Sequence, residues 1–332
     1  MDRRQVLAAL AAMAASPAMA QGQTDGLRVV MVGTSGPLPV RDRAKPCIAI
    51  QVAGALYLFD IGPEATENMM TWRLPLSAAK AIFLTHLHSD HIGDMGEFNM
   101  QSWVQGRTAP LAVVGPAGVE KATRGFNLAY ENDHEFRRAH HEHGPNKFPI
   151  PAGLLAPKVI TIPAKATTAP AWRDGDLSVT AIRVAHEPIS PAFGYRIDYK
   201  GRSVSISGDT RKWPAFAEAS KGVDVMLHEA QHEGMTKQVS QVLAAGNPRT
   251  SALMADTMNY HTTPVEAAEI ARSAGAKRLV LYHLTQAGLP MFTPEAFGRG
   301  MDAGGPLDWR LARDGMTIDL PAGSDEIRFG QL

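Results

Sequence analysis

Between Phe83 and Asp94 the chain reads FLTHLHSDHIGD, placing three histidines and two aspartates directly behind an apolar run. Neutral imidazole and carboxylate are the usual ligands of catalytic zinc, and such a site takes about three protein ligands and keeps one position open for water. On an extended strand end, residues at i and i+2 face the same side. His86 and His88 are therefore placed to bind one ion together, and Asp90 and His91, past the turn, can face a second ion nearby. A solvated histidine-rich turn has no need of a buried strand behind it, so the pattern points to a metal centre.

The remaining ligands must come from far along the chain, and a second regularity offers them. Apolar strands end on ligand-type residues at His86 (FLTH), His186 (IRVAH), Asp209 (SISGD), His228 and Glu229 (MLHE), and His283 (VLYH). Strand ends that share one edge of a layered fold bring such residues together whatever their separation in sequence.

The elements that must do this positioning are legible as short apolar strands between turns. Strands are expected at 27–33, 47–54, 55–62, 81–85, 111–115, 177–186, 193–199, 202–209, 223–229 and 277–283, the last being the final clear core strand. Helices are expected at 64–73, 94–105 and 119–130. Thr263-Pro264-Val265-Glu266 is a capping box with proline at the first helical position, opening a helix that ends near Gly275. From 131 to 176 the pattern breaks down into a polar, histidine- and proline-rich stretch, read as a variable surface loop or partly strand. Its histidines, His134, His140, His141 and His143, are read as solvated. The loop, with Arg137 and Arg138, is expected to overhang the metals, and Trp172 to sit at the pocket mouth. Strand-rich halves with helices between them indicate an α/β layered sandwich.

The first residues, MDRRQVLAALAAMAASPAMA, have the order of an export signal: Arg3 and Arg4, an alanine-rich apolar run, and small residues before Gln21. The paired arginines resemble a twin-arginine signal, so residues 1–20 are expected to be cleaved and the mature protein to be periplasmic or secreted. No later segment approaches the ~20 apolar residues needed to cross a bilayer, so no stable membrane insertion is expected. The 332-residue chain is 45% hydrophobic and 20% charged with a formal net charge of +0, enough for a sizeable core but no strongly basic footprint for nucleic acid. Cys47 is the only cysteine, which excludes an intramolecular disulfide.

The H-x-H-x-D-H spacing of His86–His91 resembles the defining motif of the metallo-β-lactamase fold metallohydrolases. Further fragments resemble the ribonuclease Z branch: VMVGTSGPLP (Val30–Pro39), FDIGPEATENM (Phe59–Met69), HEA (His228–Ala230), and YHTTPVEAAEIARSAGAKRLVLYHL (Tyr260–Leu284). The resemblance implies a four-layer αββα sandwich over 27–320. It also implies two Zn2+ per chain, one held by His86, His88 and His186 and the other by Asp90, His91 and His283, with Asp209 bridging. The implied reaction is hydrolysis of a phosphodiester by a metal-bridging hydroxide, with Asp90 also orienting that hydroxide and His261, paired with Glu229, protonating the leaving group. His228 fits no ligand position and is read as structural.

Two departures bear on substrate. The branch's glycine-, proline- and lysine-rich RNA-gripping arm is not recognisable in the 131–170 stretch, and the expected export signal removes the chain from cytoplasmic precursor tRNA. Gln231 and Thr262 are motif variants, standing where threonine and serine are usual. The two departures make a small-molecule or ester substrate the expectation and nucleic acid not expected; a homodimer is compatible with the branch. Arylsulfatase or lactonase activity is the alternative on the same scaffold. A di-iron oxidoreductase lacks its usual carboxylate ligand and flavin domain here, and a non-catalytic binding protein is disfavoured by the complete ligand set.

Overall fold

The computed structural model describes residues 25–144 and 147–332; the expected export signal at residues 1–20 lies outside them. Among the described residues there are fifteen strands, most of them formed by the apolar runs. The first eight are β1 (Gly26–Gly33), β2 (Cys47–Val52), β3 (Ala55–Phe59), β4 (Ala79–Phe83), β5 (Leu111–Gly115), β6 (Leu155–Val159), β7 (Thr168–Asp174) and β8 (Leu177–His186). The others are β9 (Ile189–Tyr199), β10 (Arg202–Ile206), β11 (Val225–Glu229), β12 (Arg278–Tyr282), β13 (Trp309–Leu311), β14 (Met316–Pro321) and β15 (Arg328–Gln331). They pair into an eight-stranded sheet, β15-β14-β1-β2-β3-β4-β5-β6, and a seven-stranded one, β13-β12-β11-β10-β9-β8-β7.

Both sheets are buried on both faces, which is why their central strands read as continuous apolar runs rather than alternating ones. In β1, Val29 and Met31 enter the core between the sheets, where they join Phe83, Tyr195 and Val280; Val30 and Val32 face outward with Leu58, Met69 and Phe98. The outer layer over the first sheet is built by helices Ala65–Thr71, Met95–Val104 and Val119–Ala129, which supply Met69, Phe98 and Val119. Over the second sheet, Pro214–Ala219 and Pro264–Ala274 supply Phe216 and Ile270 against Met226 and Leu281. The sequence of layers is the expected αββα sandwich.

Strand direction sets the site. β3, β4 and β5 pair in parallel, as do β10, β11 and β12, while β8 and β10 each run antiparallel to β9 and so share one sense. Their C-terminal ends therefore gather at one edge, and two bonds staple the sheets there. Phe193 N donates to the Thr85 carbonyl at 2.9 Å, and the Tyr195 hydroxyl donates to the Leu84 carbonyl at 2.6 Å.

Four expectations are corrected. The supposed loop at 131–176 contains a helix, Glu131–His140, and the edge strands β6 and β7. The helix shows no apolar stripe because it is held by acids in its first turn, bases in its last, and the Arg137–Asp133 and Arg138–Glu135 pairs. Each edge strand carries a proline, Pro157 or Pro170, a residue that sheets tolerate at their edges. Next, His134 is not solvated: it lies buried with its ring 4.9 Å from Trp103. Trp172 meets Phe83 edge-on at 6.1 Å in the sandwich, away from the pocket mouth it was expected to line. Finally, β12 is not the last core strand, since β14 returns to pair with β1 and brings Ile318 and Leu320 into the central core. No helix among the described residues is long and apolar enough to cross a membrane.

Candidate metal centre

At that shared edge the motif leaves β4 and turns. His86 and His88 lie in the irregular stretch between β4, which ends at Phe83, and the four-residue helix Ser89–Ile92, which carries Asp90 and His91. His186 closes β8, Asp209 follows β10, Glu229 closes β11 and His283 follows β12. Two of the residues at this edge are held in the left-handed region, Asp60 at φ 57° and His283 at φ 56°. Non-glycine residues pay for that conformation, and such strain collects where a side chain must be aimed. Gly36 leaves room for the His283 ring, because a Cβ there would lie 3.0 Å from His283 Cε1.

The aimed atoms converge. His86, His88, His186 and Asp209 each offer an atom within 4.8 Å of the others, as do Asp90, His91 and His283. Asp209 Oδ2 lies between the two groups, 3.9 and 4.0 Å from Nε2 of His86 and His186 and 3.4 and 3.3 Å from Nε2 of His91 and His283. Asp90 Oδ2 is 3.5 Å from His91 Nε2 and 3.4 Å from His283 Nε2. All seven side chains named from the sequence thus meet at one place, in the two expected groups.

Their outer partners fix which nitrogen faces inward. The Asp60 carboxylate lies 2.8 Å from His91 Nδ1, so that nitrogen carries the proton and Nε2 presents its lone pair. Thr85 Oγ1 donates its one proton to Asp60 at 2.9 Å, so its oxygen accepts from His86 Nδ1 at 3.0 Å. His186 Nδ1 donates to the Tyr260 carbonyl at 3.2 Å. Sequence reading missed these orienting roles. Asp60 was within reach of it, because ALYLFD is one more apolar strand ending on a ligand-type residue; the Thr85 hydroxyl and the Tyr260 carbonyl carry no such signal.

The electrostatics suit cations. Burial, reinforced by neighbouring imidazoles, holds His86, His88 and His186 below the usual histidine range and so in the neutral, ligating form. Burial also acts against the charged forms of Asp90 and Asp209, but the surrounding histidines outweigh it: Asp90 is lowered to about 2 and Asp209 lies well below the carboxylate range. Buried His91 is nevertheless raised well above its ordinary value by Asp209, Asp60 and Asp90. His91 Nε2, His186 Nε2, His283 Nε2 and Asp209 Oδ1 are buried without a hydrogen-bond partner. Buried polar atoms are rarely left so, and the three imidazole nitrogens, each within 4.0 Å of Asp209 Oδ2, fit cations that accept their lone pairs.

His261 stands beside the cluster, with a ring nitrogen within 4.8 Å of ligand atoms of Asp209 and His283. Its Nδ1 is 3.0 Å from Glu229 Oε1, which also accepts from Thr210 N at 3.1 Å and Thr262 N at 3.2 Å. Burial disfavours its charge, yet the Glu229 carboxylate, helped by Asp209, raises it to about 9. His228 is buried, its Nδ1 bonded to the Glu229 carbonyl at 2.8 Å and its ring edge-on to Phe216, a packing position as expected. The histidine-rich helix Glu131–His140 packs against Val119–Ala129 and Ile150–Gly153 instead. It contributes nothing to the cavity beside His261.

Fold and site together define a metal-dependent hydrolase. The chain belongs to the beta-lactamase superfamily, whose domain pattern matches residues 56–284. Within it the chain is ribonuclease Z-like. It is 31% identical over 268 residues to the ribonuclease Z of Mycobacterium bovis (strain BCG / Pasteur 1173P2), covering 79% of this chain and 87% of that protein. It is 28% identical over 264 residues to the ribonuclease Z of Mycolicibacterium paratuberculosis, with the same shares covered. Among solved structures it resembles the short form of human tRNase Z, with a TM-score of 0.62 and 22% identity over 89% of this chain and 99% of that one.

Proposed function

We propose that the protein is an exported, dinuclear zinc-dependent phosphodiesterase whose substrate is a small molecule rather than RNA. The observation that carries the reading is the gathering of His91, His186 and His283 Nε2, all buried and unpartnered, within 4.0 Å of Asp209 Oδ2 next to the His261–Glu229 pair. His86, His88 and His186 would hold one ion and Asp90, His91 and His283 the other, with Asp209 shared. Such a pair supplies a water acidic enough to react near neutral pH and positive charge against the developing charge of the transition state.

The chain's own part is orientation and proton delivery. Asp60, Thr85 and the Tyr260 carbonyl lock three imidazoles in the tautomer that presents Nε2 inward. Asp90 adds a carboxylate oxygen that ligates and accepts a hydrogen bond from attacking water. Glu229 holds the proton on His261 Nδ1 and sustains the imidazolium, which leaves Nε2–H to protonate the departing oxygen. An acid of this kind matters most for alkoxide leaving groups, which favours phosphodiesters over activated esters, sulfates or lactones.

The relatives named ribonuclease Z weigh, weakly, toward an RNA substrate. Against that stand the neutral net charge and the export-type order of residues 1–20. The zinc-loaded protein, assayed on alkyl and nitrophenyl phosphodiesters, sulfates, lactones and precursor tRNA, tests the reading. Turnover should be greatest on phosphodiesters. His261→Ala should lose about 10²–10⁴-fold on alkyl leaving groups and far less on nitrophenolate. Equal losses on both remove the acid role, and processing of precursor tRNA as the best substrate removes the small-molecule reading.

A further inference from the structure

His261 belongs to two places at once. It touches the candidate metal cluster, and it forms part of the wall of a cavity of about 540 Å³ that takes no residue from the seven expected ligands. That cavity is also bordered by Arg211, Lys212, Glu233 and Glu266. We propose that this cavity receives the leaving group and that Arg211 selects leaving groups bearing an anionic substituent. The proposal rests on the phosphodiesterase reading above and gives it a substrate class: a diester whose departing alcohol carries a carboxylate, phosphate or sulfonate of its own.

Position assigns the cavity. In hydrolysis a water oxygen bonds to phosphorus and the P–O bond to the leaving group breaks with its electron pair. The departing oxygen takes the His261 proton, and the proton released by the attacking water restores the count. The departing group must therefore lie against His261. His261 is part of the wall of this cavity, which gives the departing group a place beside it.

Charge singles out Arg211. Glu266 is occupied by its own helix start, its Oε2 accepting from Thr263 N and Thr263 Oγ1, both at 2.9 Å. Glu233 is paired with Lys237, and Lys212 with Glu269 at 2.5 Å. Arg211 has only a looser contact, 3.4 Å to Glu187, with both side chains more than half exposed (51% and 60%). Exposed pairs of this kind contribute little and are readily exchanged for a better anion, and a guanidinium offers two parallel donors to carboxylate or phosphate. The Arg211 backbone is nonetheless fixed, its N–H donating to the Ala185 carbonyl at 2.9 Å. Its neighbour Thr210 is tied to the same Glu229 oxygen that holds His261. Cation and proton donor thus hang from one rigid piece at the edge of the sandwich.

The test compares methyl 4-nitrophenyl phosphate with methyl 3-carboxy-4-nitrophenyl phosphate, whose leaving groups differ by one carboxylate, on the zinc-loaded full chain. The carboxylated diester should be preferred about tenfold or more in kcat/KM, mainly through KM. Arg211→Ala should bring the ratio to about one, Arg211→Lys should keep part of it, and Arg124→Ala, on the opposite outer layer, should leave it intact. Equal kcat/KM on both substrates, or a preference that survives Arg211→Ala, overturns the proposal alone. Failure to turn over either diester with both ions bound overturns the phosphodiesterase reading and this proposal with it.

Discussion

At the scale of single residues, the candidate centre is a set of donors held by a less conspicuous set of orienting groups. Asp60 is the most consequential of these, because it touches both His91 Nδ1 and Thr85, and Thr85 in turn holds His86. Outer partners of metal-ligating histidines commonly account for a 10–100-fold change in affinity. Asp60→Asn should therefore weaken zinc binding by about that factor while the far-ultraviolet spectrum stays native, as competition with a chromophoric chelator would measure. Of the seven donors, His86, His88, Asp90 and His91 were legible in the local H-x-H-x-D-H spacing, while His186, Asp209 and His283 were marked by apolar strands ending on ligand-type residues and assigned by the family resemblance. The orienting groups were less so. A hydroxyl or a backbone carbonyl has no distinctive type, and its role depends on where the chain brings it.

At the scale of elements, legibility followed hydrophobic contrast. The buried strands and the helix behind the capping box stand out because burial or capping chemistry dictates their residues. Thr263 accepts from Glu266 N while Glu266 reaches back to Thr263 N, and Gly275 ends the helix in the left-handed conformation at φ 64°. Thr263→Ala should cost about 1 kcal/mol, seen as a lower denaturation midpoint at unchanged slope. No change in the midpoint would show that packing alone holds this helix. Elements stabilised otherwise were hidden. The helix Glu131–His140 relies on ion pairs and terminal charges, and the hairpin of helices Glu233–Ala244 and Pro248–Thr257 buries little beyond Met235, Thr236 and Met254. Short β13 and the proline-bearing edges β6 and β7 have weak strand patterns for the same reason: they lie where a sheet demands least of its side chains.

At the scale of the whole molecule, two sheets converge on one edge and bury carboxylates and imidazoles whose lone pairs face each other. His86 Nε2 and His88 Nδ1 approach to 2.8 Å, a distance that two imidazole nitrogens sustain only by sharing a proton or a cation. Cations bound there stabilise the folded chain by mass action, by roughly 3 kcal/mol at a hundredfold excess over Kd. Removing metal should lower the melting temperature, restoring zinc should raise it, and Asp209→Asn, which takes a charge from both groups, should shrink that response. An equal response in wild type and variant would place the stabilising zinc elsewhere. The most direct test of the whole account is anomalous diffraction at the zinc edge from crystals of the zinc-loaded protein. Two peaks per chain are expected, one among His86, His88 and His186 and one among Asp90, His91 and His283, with Asp209 touching both. A single peak, or none at this edge of the sandwich, would contradict it.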